Sequence, residues 1–125
     1  MKITNIELIN AKRGFEELLE KELPARVSLK LYSLAESVHD SLVAFTKAQQ
    51  KLVKDYNIDN KGITADPTKQ EEANTQFNEL ANAEIELPVE KVIVPLYFKG
   101  QELGIKPSTI ALLKKLVEIE LPKEG

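Results

Sequence analysis

The stretch Arg26-Val27-Ser28-Leu29-Lys30-Leu31 reads two ways, and the choice decides the fold. Its apolar residues alternate, as in a half-buried strand. They also open a longer series, Val27, Leu31, Leu34, Val38, Leu42, Phe45, Leu52 and Tyr56, that keeps helical steps to residue 56. Ser33 with Glu36 has the spacing of a capping box inside the run, which a later helix start would need. The long series outweighs the short alternation, so the spacing predicts helix throughout residues 26–56. Thirty residues of helix span about 45 Å.

Toward the N-terminus, Thr4-Asn5-Ile6-Glu7 also has the spacing of a capping box, in which hydroxyl and carboxylate satisfy the first free backbone amides. Leu8, Ala11, Phe15, Leu18 and Leu19 then form one apolar stripe, with Lys12, Arg13, Glu16, Glu17 and Glu20 toward water. Pro24 is expected to end this helix, because the residue before proline is pushed out of helical dihedrals.

Toward the C-terminus, Asn57, Asp59, Asn60, Gly62 and Asp66 make residues 57–66 a loop, with a small hairpin at Asp59-Asn60-Lys61-Gly62. Asp66 before Pro67 matches an N-cap followed by proline at the first helical position. A third helix over 67–82 follows, with Ala73, Phe77, Leu80 and Ala81 as its stripe. From Glu84 the period becomes two: Ile85, Leu87 and Val89 alternate with charge, then Val92, Val94, Leu96 and Phe98 alternate on the other parity. A bulge or tight turn near Glu90-Lys91 would supply the shift, and Pro88 and Pro95 restrict these strands to edges or one bent ribbon. A last helix is expected from Pro107, with Ile110, Leu113, Leu116, Val117 and Leu121 on one side and Pro122 as its stop.

The expected class is α+β and mostly helical: a long antiparallel helix pair, a short third helix, a small β-ribbon and a C-terminal helix. At 125 residues the chain fits a single domain, 1–125. With 42% apolar and 30% charged residues it is neither disordered nor membrane-spanning in composition. The N-terminus lacks the basic start and apolar centre of a signal peptide, and the chain has no cysteine, which excludes disulfides and thiolate metal sites. A cytoplasmic setting is expected. Residues 57–90 carry two basic and eight acidic side chains, a balance of −6, and residues 91–125 carry six and four, a balance of +2. An acidic middle repels phosphate backbones, so any nucleic-acid surface is confined to one end.

The lone histidine, His39, lies beside Asp40 with Ser37 and Ser41 near in sequence, but residues one and two apart on a helix do not face one another. It is read as a surface histidine. Glu16, Glu17, Glu20 and Glu22 read as a solvated helix face, and Asp59-Asn60-Lys61-Gly62 with Asp66 lacks the terminal glutamate of a calcium loop. Gly100, Gly104 and Lys106 miss the P-loop spacing, and Pro107 removes an amide donor. No catalytic, cofactor-binding or metal-binding residue is assigned, no cofactor is expected, and the chain is read as non-enzymatic.

Two surfaces compete. Val92, Val94, Leu96 and Phe98 form an apolar, proline-marked ribbon that could add to the edge of a partner's sheet. Gly100, Leu103, Gly104, Ile105, Ile110 and Leu113 meet the turn and packing requirements of a helix-turn-helix, which would present Ser108, Thr109, Lys114 and Lys115 to DNA. The strand pattern and Pro95 leave hardly one turn for a first helix, and residues 107–117 hold no arginine for base contact. Protein binding is therefore the preferred reading, with a DNA-binding regulator as the alternative.

The order of these elements carries a resemblance. It runs from Lys2-Ile3-Thr4-Asn5-Ile6-Glu7-Leu8-Ile9-Asn10-Ala11 through Leu23-Pro24, Val27-Ser28-Leu29-Lys30-Leu31 and the charged helix to Asp55-Tyr56. Glu84-Ile85-Glu86-Leu87-Pro88-Val89 and Lys106-Pro107-Ser108 complete it. The chain resembles an uncharacterised family of small proteins from tailed bacteriophages and prophages of Gram-positive bacteria. The resemblance implies a setting in the host bacterial cytoplasm or in the virion; the missing catalytic set and the apolar ribbon point to a non-enzymatic accessory role, in virion assembly or against a host target. The expected partner is a phage or host protein, a second copy being the simplest, with no membrane and no nucleic acid.

Overall fold

The computed structural model describes residues 1–120. It is α+β and mostly helical, as the periodicity implies. Strand β1 (Lys2–Thr4) leads directly into helix α1 (Asn5–Leu18). Thr4 serves both: it closes the strand, and its Oγ1 accepts the Glu7 amide at 3.2 Å while the Glu7 carboxylate accepts the Thr4 amide at 3.0 Å. The expected capping box is thus present. Leu8, Ala11, Phe15 and Leu18 are buried. The helix ends at Leu18 because the next position on its buried stripe is Glu22, which has no core to enter. Pro24 therefore does not stop α1; it stands at the N-cap of α2 (Ala25–Asp55).

Residues 26–31 are helical. Leu31 is fully buried and Leu29 is 69% exposed, whereas a strand would have put both on one face. The 31 residues of α2 make a rod about 46 Å long. Its first half buries Leu31, Leu34 and Val38; its second half buries only Phe45.

The loop after α2 forms the small hairpin. The Asp59 carboxylate accepts the Lys61 and Ile63 amides at 2.8 and 3.0 Å, and Ile58 bridges Thr64. The Asp66 carboxylate accepts the Thr68 amide at 2.9 Å and opens a 3-10 turn, Pro67–Lys69, that runs into α3 (Gln70–Asn82).

Of the two expected forms, edge strands or one bent ribbon, the first is present. Residues 84–98 are not one bent hairpin: β2 (Glu84–Glu86) pairs antiparallel with β1, aligning Ile85 with Ile3. Strand β3 (Val92–Pro95) belongs to another sheet and pairs parallel with β6 (Val117–Glu120). The parity change near Glu90-Lys91 is thus a change of sheet. Between β3 and β6 lie a two-stranded hairpin, β4 (Tyr97–Phe98) and β5 (Gln101–Glu102), and helix α4 (Pro107–Leu113). Lys99 and Gly100 at the hairpin tip have φ of 55° and 77°, the paired left-handed conformation of a type I′ turn.

The closing helix is correspondingly shorter than expected. It ends at Leu113, and Val117-Glu118-Ile119-Glu120, which alternates with period two, is strand. Leu116 and Val117 are buried as the helical reading requires, but from a turn and a strand. Leu121 and Pro122, the expected end of that helix, lie outside the described residues.

One core gathers Ile3, Leu8, Phe15, Leu31, Leu34, Val94, Leu113 and Leu116. Gly14 lets α4 settle on α1, since a Cβ there would stand 2.6 Å from Leu113 Cγ.

Candidate interaction surface

Strand β3 alternates with period two, so one side must face the core. Val92 and Val94 do so; Val94 is fully buried, and Leu96 and Phe98 are half-buried. Val92 and Val94 are therefore not the exposed binding face expected from sequence, because the other elements of this chain already cover them. The outer face carries Lys91 and Ile93, with Ile93 54% exposed. Next to them on β6 stand Glu118, opposite Ile93, and Glu120, opposite Pro95, both exposed.

The backbone has two sides as well. In this parallel ladder the Val92 amide donates to the Leu116 carbonyl at 3.0 Å and the Leu96 amide to the Glu120 carbonyl at 3.3 Å, so the even-numbered residues bond β6. Backbone groups of successive strand residues point to opposite edges. The amides and carbonyls of Lys91 and Ile93, with the Pro95 carbonyl, therefore line the edge away from β6. Among the described residues the sheet has only these two strands, and neither amide has a hydrogen-bond partner. Pro95 has no amide to offer. Beside the start of β3, α2 contributes Leu29, 69% exposed. A cleft of about 440 Å³ separates Leu29, Lys30 and Ser33 from Val89, Lys91 and Val92.

The other candidate residues are distributed differently. A hairpin, β4–β5, occupies the chain where a helix-turn-helix requires its first helix. Ser108 and Lys114 are exposed. Thr109 is buried, with its hydroxyl donating to the Glu17 carboxylate. Lys115 pairs with Glu7 at 2.8 Å. That ammonium, donating to Glu7, holds its carboxyl below the usual carboxylate range, with the Thr4 amide and hydroxyl adding to the effect against the cost of burial.

His39 is exposed on α2, and the Ser37 hydroxyl donates to the Ser33 carbonyl on its own helix. A second cleft, about 560 Å³, has Val53, Ile58 and Phe77 as its apolar lining and Asn60, Asn74 and Asn78 as polar neighbours. A third, about 420 Å³, lies between the end of α1 and the start of α4, where Glu17, Glu20, Lys21 and Lys106 meet. Among the described residues no three His, Asp or Glu side chains are grouped to hold a metal ion.

Sequence reasoning missed Lys91, Ile93 and Leu29. Ile93 was legible as the off-parity residue of the 92–98 alternation, and Leu29 as the apolar residue off the helical stripe. Comparison with protein-family models, curated proteins and solved structures returned no match. No helix among the described residues is long and apolar enough to cross a membrane.

Proposed function

We propose that this chain is a non-enzymatic accessory protein that acts by binding another protein, and that the partner docks along the open edge of β3. The observation that carries this reading is the pair of edge amides at Lys91 and Ile93, set beside the exposed apolar side chains of Ile93 and Leu29. An edge of this kind supplies main-chain hydrogen bonds to an added strand, and adjoining apolar side chains supply contact area. The biological setting belongs to the same proposal and rests on the resemblance in element order: a tailed bacteriophage or prophage, with the protein working in the host cytoplasm or in the virion.

The test is an affinity capture from phage-producing cells, read by mass spectrometry, with wild-type bait beside Ile93→Lys and Leu29→Glu. Both residues are exposed, so the variants fold. Protein partners should be enriched by the wild type and lost from both variants. Partners retained equally by all three baits would remove the edge from the argument, and partners dependent on nucleic acid alone would favour the regulator instead.

A further inference from the structure

The geometry points to a second copy of this chain as the occupant of the β3 edge, paired antiparallel about a two-fold axis at Ile93. The inference rests on the docking reading above and names its partner. The hydrogen-bonding groups on the edge are self-complementary in that register. Ile93 faces its own counterpart, and the two residues exchange a pair of amide-to-carbonyl bonds. Lys91 faces the second copy's Pro95, and each Lys91 amide donates to that proline's carbonyl. The missing proline amide then leaves only the Lys91 carbonyl unmatched, and Lys91 is exposed to water. A register centred on Val94 would set each Ile93 opposite Pro95 and forfeit the reciprocal bonds. One centred on Val92 would set charged Lys91 against Ile93.

Side chains agree with the backbone. The two Ile93 side chains, each 54% exposed alone, meet directly across the axis. Lys91 lies across from Pro95 of the second copy, whose neighbour on the far side is Glu120. Each ammonium is thereby directed toward a carboxylate of the other molecule, and the two-fold axis repeats the pairing. The result is a four-stranded sheet, β6-β3-β3-β6, with both inner faces on one side. Leu29, across the cleft from Lys91 at the start of β3, adds apolar surface at the flank.

The chain contains no cysteine, so Ile93→Cys introduces a single thiol on the axis. Directly opposed residues of a hydrogen-bonded antiparallel pair have Cα atoms roughly 5.5 Å apart, inside the disulfide range of about 4.4–6.8 Å. Mild oxidation should convert most of the Ile93→Cys protein to a covalent dimer, while Ile6→Cys, exposed on α1, should stay monomeric. Sedimentation equilibrium of the wild type should give twice the 14.0 kDa chain mass. Ile93→Lys, which sets like charges opposite, should weaken the association at least about tenfold with an unchanged circular dichroism spectrum. Exchange at the Ile93 amide should slow as protein concentration rises.

A protein that stays monomeric at high concentration, forms no Ile93→Cys dimer and exchanges the Ile93 amide rapidly would overturn the second copy while leaving the edge open to a different partner. An Ile93 amide protected equally at every dilution in a protein that sediments as a monomer would show the edge already closed, and would remove the docking reading with it.

Discussion

The two halves of α2 share one helical pattern but stand in different surroundings. The first half, up to Val38, buries three large residues against α1 and the β3–β6 sheet; the second half buries only Phe45 and is covered by α3, whose one buried residue is Ala73. The difference teaches that a continuous apolar stripe states what a helix can bury, while its neighbours decide how much of it becomes core. Substitution should expose that asymmetry most strongly. Leu34→Ala, in the first half, should lower unfolding stability by about 3 kcal/mol, since Leu34 is enclosed on all sides and its truncation leaves a cavity. Leu52→Ala, half-buried in the second half, should cost about 1 kcal/mol because water and neighbouring side chains can fill the space. Urea unfolding of the two variants measures both, and equal losses would break the comparison.

A second substitution asks whether the first half depends on close approach between elements. Alanine ordinarily stabilises a helix by about 1 kcal/mol relative to glycine. Gly14→Ala should do the opposite, because its methyl group would stand 2.6 Å from Leu113 Cγ, a branch point that cannot swing aside as a flexible tip can. Overpacking of a dense contact costs about 1–3 kcal/mol, so a net loss of about 1 kcal/mol is expected. A gain in thermal midpoint would mean that α4 is loosely seated, and the contrast between the halves would narrow.

The same asymmetry explains what the sequence disclosed. The second half of α2, the hairpin around Asp59, the Asp66-Pro67 start and α3 were all legible, since each depends on residues a few positions apart. The first half packs on β3, whose partner is remote, as is the partner of β2. Residues 84–86 pair with residues 2–4, and residues 92–95 with residues 117–120. Alternation over 84–98 disclosed that strands exist without naming their partners. Lys2-Ile3-Thr4 is too short to show a period, and its capping signal concealed the strand. Val117 fits both a helical stripe and a strand, and only the parallel pairing with Val92 distinguishes them. The candidate surface was half legible for the same reason: the ribbon was found, but its buried and exposed parities were exchanged because the covering elements lie elsewhere in sequence.

Smaller than either half's effect is an electrostatic one at the foot of α1. The folded Glu7 carboxyl titrates below its unfolded value, so its stabilisation is complete above that value, about 4.5, and disappears as pH falls through the folded one. Lys115→Met removes the largest cause. Its stability deficit should be about 0.5 kcal/mol at pH 7 and should shrink toward zero in acid, as Glu7 becomes protonated in both proteins. Urea midpoints at neutral and acid pH test it. A deficit that persists unchanged in acid would assign the loss to packing of the lysine stem.

Small effects, at most about 1 kcal/mol, also lie where the second half ends, and they ask whether its structure is as local as its legibility implies. Asn57 has a φ of 50°, donates its amide to the Lys54 carbonyl at 3.3 Å and accepts the Ala65 amide at 3.0 Å, so the left-handed conformation joins the end of α2 to the hairpin. Asparagine tolerates that conformation and alanine does not, at roughly 1 kcal/mol. Asn57→Ala should therefore lose about 1 kcal/mol. Glycine adopts the conformation without strain but has more unfolded freedom to lose, so Asn57→Gly should remain within about 0.5 kcal/mol of the wild type. If the junction is governed by its own dihedrals, only the alanine variant moves the urea midpoint. If both variants fell equally, the Asn57 side chain would be holding α3 or the hairpin from a distance, and the second half would share the remote dependence of the first.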